Sequence, residues 1–391
     1  MTEILGRVGE GFGGVADVFA DNFTSRGEFG AEFCAYVDGE RVVNIWAGDA
    51  APGQPWAENT LVPIFSVTKG ATALVAQVLA DRSKLDVDAP VATYWPEFAA
   101  HGKEDVPVRM LLNHTVGLPS FPNYWDLVSF DDVAGWSKTK EIAERIAAAP
   151  LEWDPGTRVG YHSITYGWFV AELVRRTDGR TLGTFFQDEI ADPLGLSFWI
   201  GLPPALNGRV ARLLPDLDLP TLEVLAAIES ISGGPGGAAL FIGPEGGSPI
   251  DMANDPSFWA AEVPAVNGIA DARSVARMYA MLARGGELDG VRIVSEASIT
   301  AHTAEQARGE DAVFGGGDTR VALGYGRPTP TGLSFGPNDE AFGMQGLGGA
   351  LGYADPIAKV GFGYVMNQTR AGGQTDVRAR ALSAALYAAL E

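Results

Sequence analysis

Strand-like runs stand at both ends of this 391-residue chain and helix-like runs fill its middle. One sheet can form from such an order only if the N- and C-terminal parts come together around an inserted region. Near the start, aromatic and β-branched residues 32–37 and 41–46 flank the turn pair Asp38-Gly39, the pattern of a hairpin. Near the end, short Gly-bounded apolar runs cover residues 350–355 and 360–366, and a last helix is expected over 376–390. Val67, Ala71, Leu74, Val75, Val78 and Leu79 recur at the spacing of one helix face, which starts a long helix at or near Ser66. From 86 to 270, helical segments at 108–113, 141–148, 164–176 and 181–190 alternate with Pro/Gly turns. The expected class is α/β plus all-α. Residues 1–85 and 271–391 form the α/β unit, residues 86–270 a mainly helical one, with the active site between them. Residues 213–255, rich in Gly, Pro and acidic side chains, are expected to be a long loop system.

Composition excludes several function classes. Hydrophobic residues make up 46% and charged residues 20% of the chain, enough to build a full core and too little charge for disorder. Twenty-eight Lys+Arg against 49 Asp+Glu leave a net charge of −21 with no basic cluster. That field repels phosphate backbones and anionic bilayers, so neither nucleic acid nor a membrane is expected as a partner. No segment approaches the ~18 apolar residues of a membrane span, and the N-terminus has no basic region followed by an apolar core. A cytoplasmic location is the expectation. Cys34 is the single cysteine and sits in a strand-like run, so it reads as a buried structural thiol without disulfide, redox or zinc chemistry. His101, His114, His162 and His302 are too dispersed for a metal site, and no cofactor is expected.

Ser66-Val67-Thr68-Lys69 opens the first long helix. Residues three apart share a helix face at about 5 to 6 Å between Cβ atoms, so the amine can reach the hydroxyl. The free N–H groups and positive dipole end of a helix N-terminus favour an alkoxide over an ammonium, as an activated serine requires. Three further segments stand in order behind it: Leu111-Leu112-Asn113-His114-Thr115-Val116-Gly117-Leu118-Pro119, Tyr161-His162-Ser163, and Gly343-Met344-Gln345-Gly346-Leu347-Gly348-Gly349.

In this order and spacing the chain resembles the serine β-lactamase-like superfamily, which includes class C β-lactamases, DD-peptidases and family VIII carboxylesterases. The resemblance runs from about residue 60 to residue 368 and is supported at 85–91, 193–196 and 351–356. It implies a β-lactamase-like fold, an antiparallel sheet flanked by helices with a mainly helical inserted region. It makes Ser66 the acylated nucleophile, Lys69 its base or proton partner, and Tyr161 and Ser163 the first and third places of a Tyr-x-Asn/Ser motif. A phenol ionises near pH ~10, so Tyr161 serves as the base only where nearby cations favour the phenolate; which of the two takes the proton stays open. The backbone N–H groups of Ser66 and Leu347 match the oxyanion donors, and Met344, Gln345 and Gly346 line the substrate. The third motif departs from the family: Met344 stands where β-lactamases carry a lysine and many relatives a histidine. A thioether cannot pair with a carboxylate, so the resemblance implies a carboxylesterase for short, uncharged esters. The alternatives are a β-lactamase or D-amino-acid peptidase or amidase of the same fold, or a non-catalytic scaffold. The partner implied is a small-molecule ester, and an assembly of identical subunits is compatible with the sequence.

Other segments read blandly. Gly332-Leu333-Ser334-Phe335-Gly336 has the Gly-x-Ser-x-Gly form, but Pro337-Asn338-Asp339 follows it and every histidine precedes it. His114 is expected to be a hydrogen-bonded structural residue. His162 would point away from Tyr161 on a strand, with the site mouth as its alternative place. Tyr124, Trp125 and Trp136 either wall an acyl pocket or pack into the core.

Overall fold

Asp38 and Gly39 take φ angles of 48° and 86°, the left-handed pair a two-residue hairpin needs to match the twist of its strands. In the computed structural model, which describes residues 2–215, 248–315, 318–330, 332–370 and 375–391, this turn joins the strands Gly30–Val37 and Glu40–Ala51. A second hairpin pairs Leu351–Asp355 with Val360–Met366, Asp355 opposite Val360. The two hairpins then join, with Val360 opposite Val37 and Met366 opposite Ala31. The middle of the sheet is therefore the seam between the two ends of the chain. Leu5–Val8 and Gln54–Pro55 extend one side and Phe342–Gln345 closes the other, giving seven antiparallel strands.

Alternation along Val360–Met366 decides what covers each face. Gly361 and Gly363 face the helix Ala272–Ala283, where a Cβ on Gly361 would lie 2.3 Å from the Ala280 nitrogen and one on Gly363 2.3 Å from the Ala272 oxygen. Only glycine admits so close an approach. Phe362 points the other way and stacks on Tyr353 at 4.6 Å, while Tyr353 Oη meets Ser383 Oγ at 2.8 Å on the last helix, Val377–Ala388. The first helix, Gly13–Ser25, packs beside that last one.

Helices stand at Val108–Leu112, Thr139–Ala148, Thr165–Thr177 and Leu182–Phe186. The helix behind Ser66 runs Thr68–Asp81, and every residue from Thr68 to Leu79 is buried. Such a helix is mostly apolar or small around its circumference, as Gly70, Ala71, Ala73 and Ala76 make it, and Lys69 and Gln77 are its long polar side chains taken into the interior. Two features correct the sequence reading. Val62–Pro63, Gly268–Ala270 and Phe198–Ile200 form a second, three-stranded sheet with Gly268–Ala270 in the middle. Strands of two or three residues carry too little alternation to be read. The expected loop at 213–255 also contains a helix, Pro249–Ala253, whose N-cap Ser248 accepts from the Ile250 and Asp251 N–H groups. Residues 216–247 of that stretch lie outside the described residues.

Candidate active site

Ser66 lies two residues ahead of the buried helix, on a turn entered through Phe65 at φ 45°. A bulky side chain in the left-handed region is costly and persists only where its surroundings fix it. The small sheet does so here. The Ile64 N–H donates to Gly268 O at 3.0 Å, and the Thr68 hydroxyl donates to Phe65 O while accepting the Gly268 N–H at 2.8 Å.

Lys69 is wholly buried, and its Nζ lies 2.6 Å from Ser163 O, 3.0 Å from Ala265 O and 3.1 Å from Ser66 Oγ. Burial alone holds its ammonium well below the ordinary lysine range. A neutral amine has two hydrogens and one lone pair. As an ammonium Lys69 donates to all three oxygens; once it has lost a proton, the two carbonyls still take its hydrogens and the lone pair is the group left for the Ser66 hydroxyl. Tyr161 hydrogen-bonds Ser66 through its hydroxyl, and its ring carries the Lys69 nitrogen 4.8 Å from its centroid. Burial pushes the phenol up, and the carboxylate of Asp311 adds to the shift. Burial thus works in opposite senses on the two groups, favouring the free amine of Lys69 and the intact phenol of Tyr161.

Asp311 holds Tyr161 in place. Its carboxylate accepts the N–H groups of Tyr161 at 3.1 Å, Val313 at 2.8 Å and Phe314 at 3.0 Å. His114 Nδ1 accepts the His162 N–H at 3.1 Å, and its ring lies 5.0 Å from that of Tyr161. His162 Nε2 accepts the Leu118 N–H at 3.0 Å. Burial lowers the pKa of both imidazoles, that of His162 to about 3, so they stay neutral and stitch residues 114–118 to 160–163. His162 is buried on irregular backbone, neither on a strand nor at the site mouth. Ser163 contributes its carbonyl to Lys69, and its hydroxyl is buried.

The third motif closes the other side. Met344 is buried in Phe342–Gln345, and Gln345 and Leu347 are half-buried. A Cβ on Gly346 would sit 2.3 Å from Ile64 O, so the loop after this strand presses on the chain that leads into Ser66. Among the described residues, no backbone carbonyl accepts from the N–H of Ser66 or of Leu347. Tyr124 and Trp136 pack in an aromatic cluster with Trp168, Trp136 donating to Ser129 O at 2.6 Å, and Trp125 alone of the three is half-buried. Ser334 lies on irregular backbone, and among the described residues no strand leads directly into it and no helix directly follows it.

Asp311, the Ala265 carbonyl and the strained Phe65 were not found from sequence. Asp311 is 150 positions from Tyr161 and Ala265 is 196 from Lys69, and a backbone carbonyl leaves no mark on residue identity.

Comparison with known proteins gives a consistent picture. The Beta-lactamase family model matches residues 15–386. The chain is 34% identical over 383 residues to Esterase/beta-lactamase LipL of Mycobacterium tuberculosis, covering 93% of this chain and 83% of that protein. Among solved structures it is similar to a family VIII carboxylesterase at 36% identity and a TM-score of 0.88, covering 99% of this chain and 100% of that one. It is also similar to a penicillin-binding protein homolog from Caulobacter crescentus at 37% identity and a TM-score of 0.87, with the same coverage.

Proposed function

The chain belongs to the beta-lactamase family and has its fold, and from that premise we propose that it is a serine carboxylesterase acting on short, uncharged esters through an acyl-enzyme on Ser66. The observation that carries this reading is the buried Lys69 nitrogen, held by Ser163 O and Ala265 O at 3.1 Å from Ser66 Oγ.

Lys69 takes the hydroxyl proton as Ser66 Oγ attacks the ester carbonyl. The N–H groups of Ser66 and Leu347 receive the oxyanion. As the tetrahedral adduct collapses, Tyr161 gives its proton to the departing alkoxide, and the Lys69 ammonium restores it. Water then attacks the acyl group, Lys69 takes a proton from it, and Ser66 leaves carrying that proton. Each cycle consumes one ester and one water and releases an acid and an alcohol. Met344 supports the choice of uncharged esters, because a substrate carboxylate entering there is desolvated beside a thioether. The relatives named for esterase activity support it as well.

A chain-length series of p-nitrophenyl esters, run beside nitrocefin, tests the proposal. Turnover of the acetate and butyrate with little of nitrocefin is the expected result. The reverse preference makes the protein a β-lactamase, and no turnover of either makes it a scaffold.

A further inference from the structure

We propose that Arg378 is a positioning residue of the oxyanion hole, aiming the Leu347 N–H by clamping the turn that carries it; this rests on the esterase reading above. The guanidinium, in the first turn of Val377–Ala388, is wholly buried together with the carboxylate of Glu28. Its five N–H groups all have acceptors. Nε and Nη2 each meet a carboxylate oxygen of Asp376 at 2.9 Å, and Nη1 reaches Glu28 Oε1 at 2.9 Å. The other two go to backbone carbonyls, Gln368 O at 3.0 Å and Gly348 O at 3.2 Å.

Gly348 belongs to a tight turn. The Gly349 N–H donates to Gly346 O at 3.2 Å, and Gly348 at φ 88° and ψ −16° has the third-residue geometry of a type II turn, which requires a glycine. Leu347 is the other central residue, so the direction of its N–H is set by this turn. Gly348 O is the outer handle of the turn and accepts from Arg378 and from the Arg370 N–H at 3.0 Å. A Cβ on Gly349 would lie 2.9 Å from both Arg378 Nη2 and Asp376 Oδ2, so the ion pair presses directly on the turn. Taking a cation and two carboxylates out of water is expensive and is not needed to start a helix. A planar, bidentate guanidinium fixes a direction that a lysine cannot. Glu28 in turn accepts from Tyr364 Oη on the central strand, so the turn is referred to the middle of the sheet.

The experiment compares Arg378→Lys with Tyr353→Phe, which loosens the last helix from the sheet through Ser383 without touching Gly348. A slow ester traps the acyl-enzyme, and the infrared stretch of its carbonyl reads the strength of the oxyanion hydrogen bonds. For Arg378→Lys we expect the stretch to move toward that of the free ester. Its kcat should fall by about 10-fold to 100-fold, short of the ~10² to 10³ of losing a donor outright, with KM little changed. Tyr353→Phe should lower the melting temperature alone. If Arg378→Lys does not fold, Asp376→Asn, which keeps the guanidinium but unlocks its orientation, carries the same readouts. An unchanged carbonyl stretch and kcat in the folded variant overturn the proposal and leave the esterase reading standing. An acyl group found on a residue other than Ser66 in the unmodified protein overturns both.

Discussion

Replacing Lys69 by Ala or Tyr161 by Phe should each reduce kcat by about 10² to 10⁴-fold, the range for a positioned base or acid. The double variant should lose far less than the product, because the two groups serve one proton path; a clean product in stopped-flow kinetics would assign them separate roles. Burial holds the Lys69 ammonium well below its ordinary range, so the active amine is lost only as pH falls through that lowered value. The kcat/KM profile should therefore show an acid limb below the ordinary lysine value, and Tyr161→Phe should leave that limb in place. A limb near the ordinary lysine value would contradict a buried free amine. Met344→Lys should raise kcat/KM for a carboxylate-bearing β-lactam relative to a neutral ester by about 1 to 3 kcal/mol through a charge-assisted hydrogen bond, and an unchanged ratio would remove Met344 from specificity. At this scale the sequence was most legible where chemistry is local. Ser66 and Lys69 are three apart on one turn, and Tyr161 and Ser163 share one segment. It was silent where the partner is a distant carboxylate such as Asp311 or a carbonyl such as that of Ala265.

Elements were legible in proportion to their length and to the turn residues between them. The Asp38-Gly39 hairpin and the helix Thr68–Asp81 follow from turn chemistry and periodicity, and both are present. The small sheet that clamps Phe65 was invisible because its strands hold two or three residues, and their pairing joins positions 62 and 270. The run 360–366 was expected as a strand and is one, but the sequence does not show that its Gly361 and Gly363 are the contact surface for the helix Ala272–Ala283. Gly361→Val should therefore destabilise by about 3 kcal/mol or more, beyond ordinary overpacking, since its added atoms meet backbone rather than a side chain. Urea unfolding measures this, and a cost under about 1 kcal/mol would mean that the helix is free to move.

The whole molecule is held together where its two ends meet. Glu32 on the strand Gly30–Val37 and Asp271 at the cap of Ala272–Ala283 are both buried, and Glu32 accepts the Ala272 N–H at 3.2 Å. Burial, with each carboxylate near the other, raises the Glu32 pKa well above the usual range. A carboxyl with a raised folded value binds its proton more tightly when folded, so its contribution is present at acid pH and lost as pH rises through that value. Glu32→Gln keeps the acceptor and removes the titration. It should be more stable than the unmodified protein at pH 8, by a margin that shrinks toward pH 5, and thermal scans resolve this at about 2 °C per kcal/mol. A margin independent of pH would assign the difference to packing. The seam also places the turn at 346–349 against the chain that enters Ser66, so the reaction depends on the assembled fold rather than on any one segment. That dependence rests on one nucleophile, and peptide mass mapping after incubation with an acyl-forming p-nitrophenyl ester tests it most directly. The acyl mass should appear on the peptide that carries Ser66 and should vanish, together with ester hydrolysis, in a folded Ser66→Ala variant. Label on Ser334 or any other residue, or hydrolysis that survives in Ser66→Ala, would contradict the account.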